Sequence, residues 1–383
     1  MKYKVPFVNY PLQYKKIKKE IDKAIFGCLK RGDLIHRKDT EEFEKNLAKF
    51  VGAKYGISCD SCTGAMFLSL FALGVGPGDE VITVSHTYIA TIDVIWHVGA
   101  TPVLVDVGED MEMDPDLIEK AITKRTKAII PVHLDGRMCN MEKIMKIAKK
   151  YNLFVIEDAA QAIGAKFKGK PAGSWGNTGC FSFYPAKILG SYGDGGAIVT
   201  SDKKLAKILY LLRDHGEMPS YLRKPKDKDK IYFFGFNSLL DNIQAAILNV
   251  KLKHLPQWIK RRREIAKMYY EGLKDIKEII LPPPPAEKDD YFDVYQNYVI
   301  RTKYRDKLEK YLNSKGIETM VKWRIPNHLQ PSLKMLHKFK LPVTERISKE
   351  VLSLPIYPEL ENWQIEYVID CIRKFYSKCS KKF

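Results

Sequence analysis

Short apolar runs alternate with helical segments between residues 80 and 158, and this alternation restricts the fold more than any other feature of the sequence. The predicted strands are EVITVS (80–85), TPVLVDV (101–107), KAIIPVHL (127–134) and LFVIE (153–157). The predicted helices between them are YIATIDVIWHVG, a segment opened by Asp114 and Pro115 that continues to Ile122, and MEKIMKIAKKY (141–151). This pattern predicts an α/β protein with a mostly parallel, doubly wound sheet. Pro131 lacks a backbone N–H, so we expect it at a strand end or edge.

The rest of the chain extends this sheet and adds a second part. GCFSFY (179–184) and GAIVTSD (196–202) are two further predicted strands, and a helical stretch runs from Asn237 to Pro256 and resumes at Trp258. LPPPPAEKDD (281–290) has the composition of a linker. YQNYVIRT, RDKLEKYLNSKG and IETMVKW then form a β-α-β pattern. We therefore predict a large domain with an N-terminal arm over residues 1–255 and a smaller α/β domain over residues 256–383.

The charge balance raises the question of a polyanionic partner. The chain has 64 Lys and Arg against 46 Asp and Glu, a formal net charge of +18. The basic residues are spread along the chain and are not interleaved with aromatic residues in a nucleic-acid-binding module. A solvated basic surface is the favoured interpretation, and such a surface would also attract a small polyanionic substrate.

Cysteine usage and the absence of long apolar runs indicate the compartment. The seven cysteines are scattered, and Cys59 and Cys62 have no second pair or histidine cluster at metal-ligand spacing, so we predict no metal site. Reduced, buried thiols are expected. No segment resembles a signal peptide or a membrane span, which predicts a cytoplasmic protein without membrane contact.

Lys187 lies in FSFYPAKILGSYGDGG (181–196), where a predicted strand runs into a glycine-rich loop. A lysine in water has a pKa of about 10.4, and burial can lower it to about 7 to 8, the range of lysines that form covalent bonds with aldehydes. A surface lysine in a loop is the alternative. The aromatic and small residues around Lys187 favour a buried amine.

Three other places at predicted strand ends carry complementary groups, and parallel sheets bind ligands at that edge. Asp158 directly follows LFVIE, with Gln161 one helical turn later. Ser61 and Thr63 precede an apolar helix, where a phosphate or an ordinary helix cap would fit. Tyr88 could cover a flat ring. With Lys187, these groups meet the demands of pyridoxal 5′-phosphate (PLP): an amine, a carboxylate, an anion site and an aromatic plane.

Several segments, in order and spacing, resemble the DegT/DnrJ/StrS family of nucleotide-sugar aminotransferases. They include AIIPVHLDGRMCNM, VIEDAAQAIGAKFKG, GCFSFYPAKILGSYGDGGAIVT and GFNSLLDNIQAAILNVKLKHL. The resemblance implies the PLP-dependent transferase fold of type I and a homodimer with active sites shared between subunits. It also implies a nucleoside-diphosphate-linked keto-sugar as substrate and glutamate as amino donor. HTYIAT and HLQPS favour members that act at carbon 3 of the sugar, although carbon 4 stays open.

The resemblance assigns a role to each candidate residue. Lys187 would carry the cofactor and move a proton, and Asp158 would pair with the pyridinium nitrogen. The remaining cofactor contacts would be Gln161 near the phenolic oxygen, Tyr88 over the ring, and Thr63, the Gly64 backbone, Ser182 and Asn237 of the partner subunit at the phosphate. His215 and His328 are candidate substrate contacts, for which a structural hydrogen-bonding role is an equal alternative.

Four positions depart from the family pattern, and two other functions stay open. Leu239 replaces a usual arginine, Ile188 a usual asparagine, Arg37 a common glycine and Lys322 a frequent histidine. These departures leave the cofactor chemistry intact and the sugar unidentified. One alternative is a sugar dehydratase of the same family, which typically has histidine at the lysine position. The other is a regulatory or nucleic-acid-binding protein on this fold.

Overall fold

The computed structural model describes residues 3–286 and 289–379, without the side chains of residues 378 and 379. The helices are α1 Tyr10–Arg31, α2 Lys38–Val51, α3 Cys62–Ala72, α4 Ala90–His97, α5 Ile118–Ala121, α6 Met141–Tyr151, α7 Lys203–Leu212, α8 Asn242–Leu273, α9 Arg305–Ser314, α10 Pro342–Glu350 and α11 Asn362–Cys379. The strands are β1 Tyr55–Cys59, β2 Glu80–Val84, β3 Thr101–Val105, β4 Thr126–Ile129, β5 Phe154–Asp158, β6 Lys166–Phe167, β7 Lys170–Pro171, β8 Thr178–Ser182, β9 Gly196–Thr200, β10 Tyr291–Phe292, β11 Tyr298–Arg301 and β12 Val351–Leu354.

A seven-stranded sheet in the order β1-β9-β8-β5-β4-β2-β3 forms the centre of the molecule. Strands β3, β2, β4, β5 and β8 are parallel, whereas β9 runs antiparallel to both β8 and β1. The predicted mostly parallel α/β sheet is thereby confirmed. Pro131 lies beyond the last residue of β4, where its missing N–H removes no ladder bond, and its carbonyl accepts from Asp158 N at 2.9 Å.

Helices cover both faces of the sheet and bury their apolar sides against it. Helix α6 shows how such a helix is capped and packed. In α6 the side chain of Asn140 accepts from Lys143 N, and Asn152 ends the helix in the left-handed conformation with φ 54°. Met141, Ile144 and Ala148 form the buried stripe of this helix. One apolar cluster lies on each face of the sheet, and together they bury apolar residues from every strand of the sheet. This packing fixes the strand ends that carry the polar residues.

Helix α8 differs from the prediction at its first residue and at Pro256, whereas its predicted end at Leu273 is confirmed. It begins at Asn242 rather than Asn237 and continues without a break through Pro256 to Leu273. A proline costs a helix one hydrogen bond, but Leu255 and Ile259 on either side are buried, so tertiary packing outweighs that cost. The division proposed between residues 255 and 256 therefore falls inside one helix, and the two-domain organisation stays a prediction.

The C-terminal part has its own core around β11 and β12, which pair in an antiparallel register. The predicted strand IETMVKW is wrong: it makes only isolated bridges, from Ile317 to Val5 and from Met320 to Ser353. One end of this segment pairs with Val5 in the N-terminal arm and the other with Ser353 in β12. It therefore forms no continuous ladder with a single strand. Of the predicted linker, residues 281–286 have no regular structure and residues 287 and 288 lie outside the described residues.

The cysteines in the described part of the chain are free and buried, and the side chain of Cys379 lies outside it. Within residues 3–286 and 289–379, no helix has both the length and the apolar composition that crossing a bilayer requires.

Candidate active site

A cavity of about 710 Å³ opens at the carboxyl edge of the central sheet. The residues that follow β1, β2, β5 and β8 line one side of it, and residues from the C-terminal part line the other. Six of the predicted site residues line this cavity: Thr63, Tyr88, Asp158, Gln161, Ser182 and Lys187. The fold therefore brings these side chains together at the predicted edge of the sheet, although they are far apart in the sequence.

Lys187 follows β8 in a tight turn in which its own N–H donates to the Tyr184 carbonyl at 2.9 Å. Its side chain lines the cavity, and the amine has no hydrogen bond to any described residue. Burial lowers the pKa of Lys187 below its ordinary value, and the positive charge of Lys322 lowers it further. An amine with these properties is available as a nucleophile or base.

Asp158 is the last residue of β5 and is 5% exposed. Its carboxylate accepts from Thr91 Oγ1 at 2.8 Å and from Ala160 N at 3.2 Å. The Thr91 hydroxyl, which donates to Asp158, is also 3.0 Å from the Thr87 hydroxyl. The two hydroxyls hold the carboxylate at one orientation, and its remaining lone pairs are free to accept from a ligand in the cavity.

Gln161 is fixed by residues from two other segments. Its Oε1 accepts from Asp135 N at 3.0 Å and from Asn297 Nδ2 at 3.3 Å. Because both bonds use the oxygen, the Gln161 amide nitrogen is left as a donor without a partner among the described residues. Asn297 also donates to Asp135 Oδ1 at 2.5 Å, so these three residues form one connected group.

The N-terminus of α3 and the end of β8 supply the anion-binding groups. Ser61 caps the helix by accepting from Gly64 N at 3.0 Å. The hydroxyl of Thr63 has no partner among the described residues, and that of Ser182 only accepts from Tyr184 N at 3.3 Å. A β-carbon at Gly64 would clash with the side chains of Asp60 and Ser238, which would have to move to make room for it. The groups suit an anion such as phosphate.

Comparison with known proteins identifies the family. The model of the DegT/DnrJ/EryC1/StrS aminotransferase family matches residues 15–373. The chain belongs to this family. The resemblance found in the sequence is thereby confirmed, and with it the PLP-dependent transferase fold of type I.

Two relatives and one solved structure show which proteins the chain is similar to. The pleiotropic regulatory protein of Geobacillus stearothermophilus is 42% identical over 97% of this chain and 98% of its own length. The dTDP-3-amino-3,4,6-trideoxy-α-D-glucose transaminase of Streptomyces venezuelae is 40% identical over 97% and 96%. A crystal structure of S. venezuelae DesV in complex with a ketimine intermediate has a TM-score of 0.91 and 39% identity, covering 98% of this chain and 99% of that chain.

Of the four departures from the family pattern, two lie at the site. Lys322 lines the cavity, and its Nζ lies 3.7 Å from Asp135 Oδ1. Ile188 is buried beside Lys187. Arg37 and Leu239 are not among the described residues that line the cavity of their own chain.

The other four predicted residues, Gly64, Asn237, His215 and His328, are not among the described residues that line the cavity of their own chain. Asn237 and His215 are exposed, and the His215 N–H donates to Phe236 O. His328 is fully buried, with its Nδ1 2.8 Å from Ser85 Oγ and its Nε2 3.3 Å from Glu345 Oε1. These hydrogen bonds agree with the structural alternative given for His328. The substrate contacts of the histidines and the delivery of Asn237 by a partner subunit stay predictions.

Sequence reasoning missed Thr91, Asp135 and Asn297. Thr91 is three residues from Tyr88 in the predicted helix YIATIDVIWHVG, a spacing that puts both on one side of a helix, and this signal was available. Asp135 directly follows the predicted strand KAIIPVHL as Asp158 follows LFVIE, so the strand-end rule could have found it as well. Asn297 lies in the C-terminal part, and no local pattern connects it to Gln161.

One buried group has the composition of a metal site, with ligand atoms from Glu112, His133 and Cys139 within 4.8 Å of one another. Hydrogen bonds already connect these atoms. His133 Nδ1 accepts from Cys139 N at 3.2 Å, and its Nε2 is 3.0 Å from Glu157 Oε2. The Cys139 thiol donates to Glu112 Oε2 at 3.2 Å. The group therefore has a structural explanation within the described residues.

Proposed function

We propose that this chain is a PLP-dependent aminotransferase that converts a keto-sugar attached to a nucleoside diphosphate to the amino sugar. The observation that carries the proposal is the meeting of Lys187 and Asp158 in one cavity at the carboxyl edge of the sheet. The Lys187 amine has no hydrogen bond to a described residue and is available to react with a carbonyl group. The Asp158 carboxylate is held by Thr91 and Ala160 and has lone pairs left to accept from a ligand. Family membership supports the transfer of an amino group.

The groups of the cavity fit the cofactor. Asp158 would accept from the protonated ring nitrogen, and the unpartnered amide nitrogen of Gln161 would donate to a ring oxygen. Thr63 and Ser182 have hydroxyl groups that donate to no described residue and would bind the phosphate. Tyr88 is 65% exposed and lines the cavity, where its ring can cover an aromatic ligand.

The mechanism assigns one task to each residue. PLP, when bound, supplies a sink for the electron pair left at the substrate carbon. Lys187 takes the proton from that carbon and returns a proton during the second half of the reaction, which requires a neutral amine. Asp158, kept in place by Thr91, would keep the ring nitrogen of the cofactor protonated by accepting its hydrogen bond.

A nucleotide-linked sugar is the proposed substrate. The named transaminase relative acts on a dTDP-linked sugar with its amino group at carbon 3. The HTYIAT and HLQPS segments favour the same carbon, and the basic surface favours a diphosphate. We also propose glutamate as the amino donor and a homodimer in which Asn237 completes the partner's phosphate site. Lys187 argues against the dehydratase alternative.

Absorbance and turnover test this proposal together. The purified chain with PLP is expected to show a visible band that shifts on addition of glutamate, and to aminate a nucleotide-linked 3-keto-sugar. Lys187→Ala should lose both properties, whereas Lys150→Ala, which removes a lysine with a 59% exposed side chain, should keep them. Failure of the wild-type chain to take up PLP would overturn the proposal.

The relative named a pleiotropic regulatory protein favours a second candidate, a regulator on this fold. Retention on DNA at several salt concentrations separates the two. A regulator that binds DNA would show a steep salt dependence of retention, because its phosphate contacts release counterions. It would also show no turnover of a keto-sugar.

A further inference from the structure

The side chain of Gln296 bonds to the backbone on both sides of Lys187. Its Oε1 accepts from Ile188 N at 2.8 Å, and its Nε2 donates to Ala186 O at 2.9 Å. A single planar amide thus satisfies the peptide groups that precede and follow the lysine. Neither bond involves the lysine side chain, so Gln296 leaves the amine free.

Gln296 is itself held firmly. Gln296 is 8% exposed, and its backbone carbonyl accepts from Arg262 Nη1 at 3.3 Å. The same guanidinium donates to the carbonyl of Tyr295 at 3.0 Å, and Tyr295 adopts φ 50°, a conformation that is uncommon for residues other than glycine. Arg262 and the backbone therefore fix the point from which Gln296 reaches the Lys187 turn.

The position of the Lys187 amine depends on its backbone. The amine has no hydrogen bond to a described residue, and a lysine side chain has four rotatable bonds. Besides its own N–H bond to Tyr184, the two bonds from Gln296 are what hold the peptide groups next to Lys187. A shift of about 1 Å at a reacting group can lower a rate by about 100-fold.

We propose that Gln296 is a positioning residue for Lys187, which clamps the two adjoining peptide groups so that the amine reaches its partner in the cavity. This inference rests on the proposed function, in which Lys187 forms a covalent bond with PLP. Glutamine suits the task because it donates and accepts on one group. An ionised glutamate can only accept, and methionine can do neither.

Amide hydrogen exchange on the full chain without cofactor tests the clamp directly. Gln296→Met is expected to speed exchange at Ile188 by about ten-fold, because the amide loses its only partner. Gln244→Met is the matched control, since Gln244 Oε1 accepts from Tyr192 N at 2.9 Å in the same loop. It should speed exchange at Tyr192 alone. Unchanged exchange at Ile188 in Gln296→Met would overturn the clamp.

The rate at which added PLP attaches to Lys187, with loss of one water, tests the positioning role. Borohydride trapping and peptide mass spectrometry identify the modified lysine. Gln296→Met is expected to attach PLP about ten-fold more slowly than wild type, and Gln244→Met at the wild-type rate. Equal rates in wild type and Gln296→Met, or equal slowing in both variants, would overturn the proposal.

A second variant covers the case in which Gln296→Met does not fold. Gln296→Glu keeps an acceptor for Ile188 N and loses the donor to Ala186 O, so attachment should slow while exchange at Ile188 stays protected. Attachment at the wild-type rate in this variant would contradict the role of the donor. If the wild-type chain itself attaches no PLP to Lys187, the proposed function fails instead, and the exchange result remains a separate measurement.

Discussion

Lys322 Nζ lies 3.7 Å from Asp135 Oδ1, and Lys322 also faces the cavity that Lys187 lines. Burial lowers the pKa of Lys322, while the Asp135 carboxylate opposes that effect. Burial likewise raises the pKa of Asp135, and Lys322 opposes it. The pair therefore sets the electrostatic environment of the reactive lysine from the position at which the family often has histidine.

Lys322→Met is expected to raise the pKa of Lys187. The variant removes the positive charge that lowers this pKa, and it frees the Asp135 carboxylate, which raises it. Asp158 and the buried Cys62 thiol act in the same direction as Asp135, so no described acidic neighbour compensates. Competitive acetylation of the chain without cofactor, followed over a range of pH, measures the midpoint for Lys187. Lys322→Arg keeps the charge and should keep the midpoint; a midpoint that stays constant in Lys322→Met would contradict the coupling.

Thr91→Val is expected to weaken cofactor binding by about ten-fold, because Asp158 loses a charge-assisted hydrogen bond and with it its fixed orientation. Valine has nearly the same shape as threonine, so packing is retained. Equilibrium titration with PLP measures the effect. Thr83→Val is the control, since the buried Thr83 hydroxyl donates to Ile130 O at 3.0 Å inside the sheet. Equal PLP affinities for the two variants would mean that Thr91 does not position Asp158.

The rules that found the site are local, and the residues they missed depend on tertiary structure. Asp158 and Lys187 were predictable because each follows an apolar strand, and parallel strands bring their carboxyl ends to one edge. The contacts of Gln296 and Asn297 were not predictable, because they form where the C-terminal part packs against the sheet, and no periodic pattern in the sequence indicates that packing. Pro256 shows the same limit for the fold, since buried neighbours outweighed a strong local preference.

His86→Gln is expected to reduce the loss of stability in acid. Burial lowers the pKa of His86 to about 4, against 6.5 for an ordinary histidine. The unfolded chain therefore binds a proton more readily, and the stabilisation, complete above pH 6.5, is lost as the pH falls towards 4. Between pH 7 and pH 5 this residue alone should cost about 2 kcal/mol of unfolding free energy. Urea unfolding at the two pH values checks this, and a pH difference as large in His86→Gln as in wild type would exclude His86 as its source.

Glu44→Leu is expected to destabilise the chain by about 3 to 5 kcal/mol, because it leaves the Arg213 guanidinium buried without its carboxylate. Arg213 is completely buried, and its remaining bonds go to Ser58, His36 and Tyr221, none of which carries a compensating negative charge. The neighbouring exposed pair of Lys45 and Glu41 provides the control, since Lys45→Ala removes an ion pair whose lysine side chain is 72% exposed and should cost less than about 1 kcal/mol. Denaturant unfolding of both variants measures the difference. Similar losses would show that the buried pair contributes no more than a surface one, and the network around Arg213 would then have to be stabilised by its neutral hydrogen bonds.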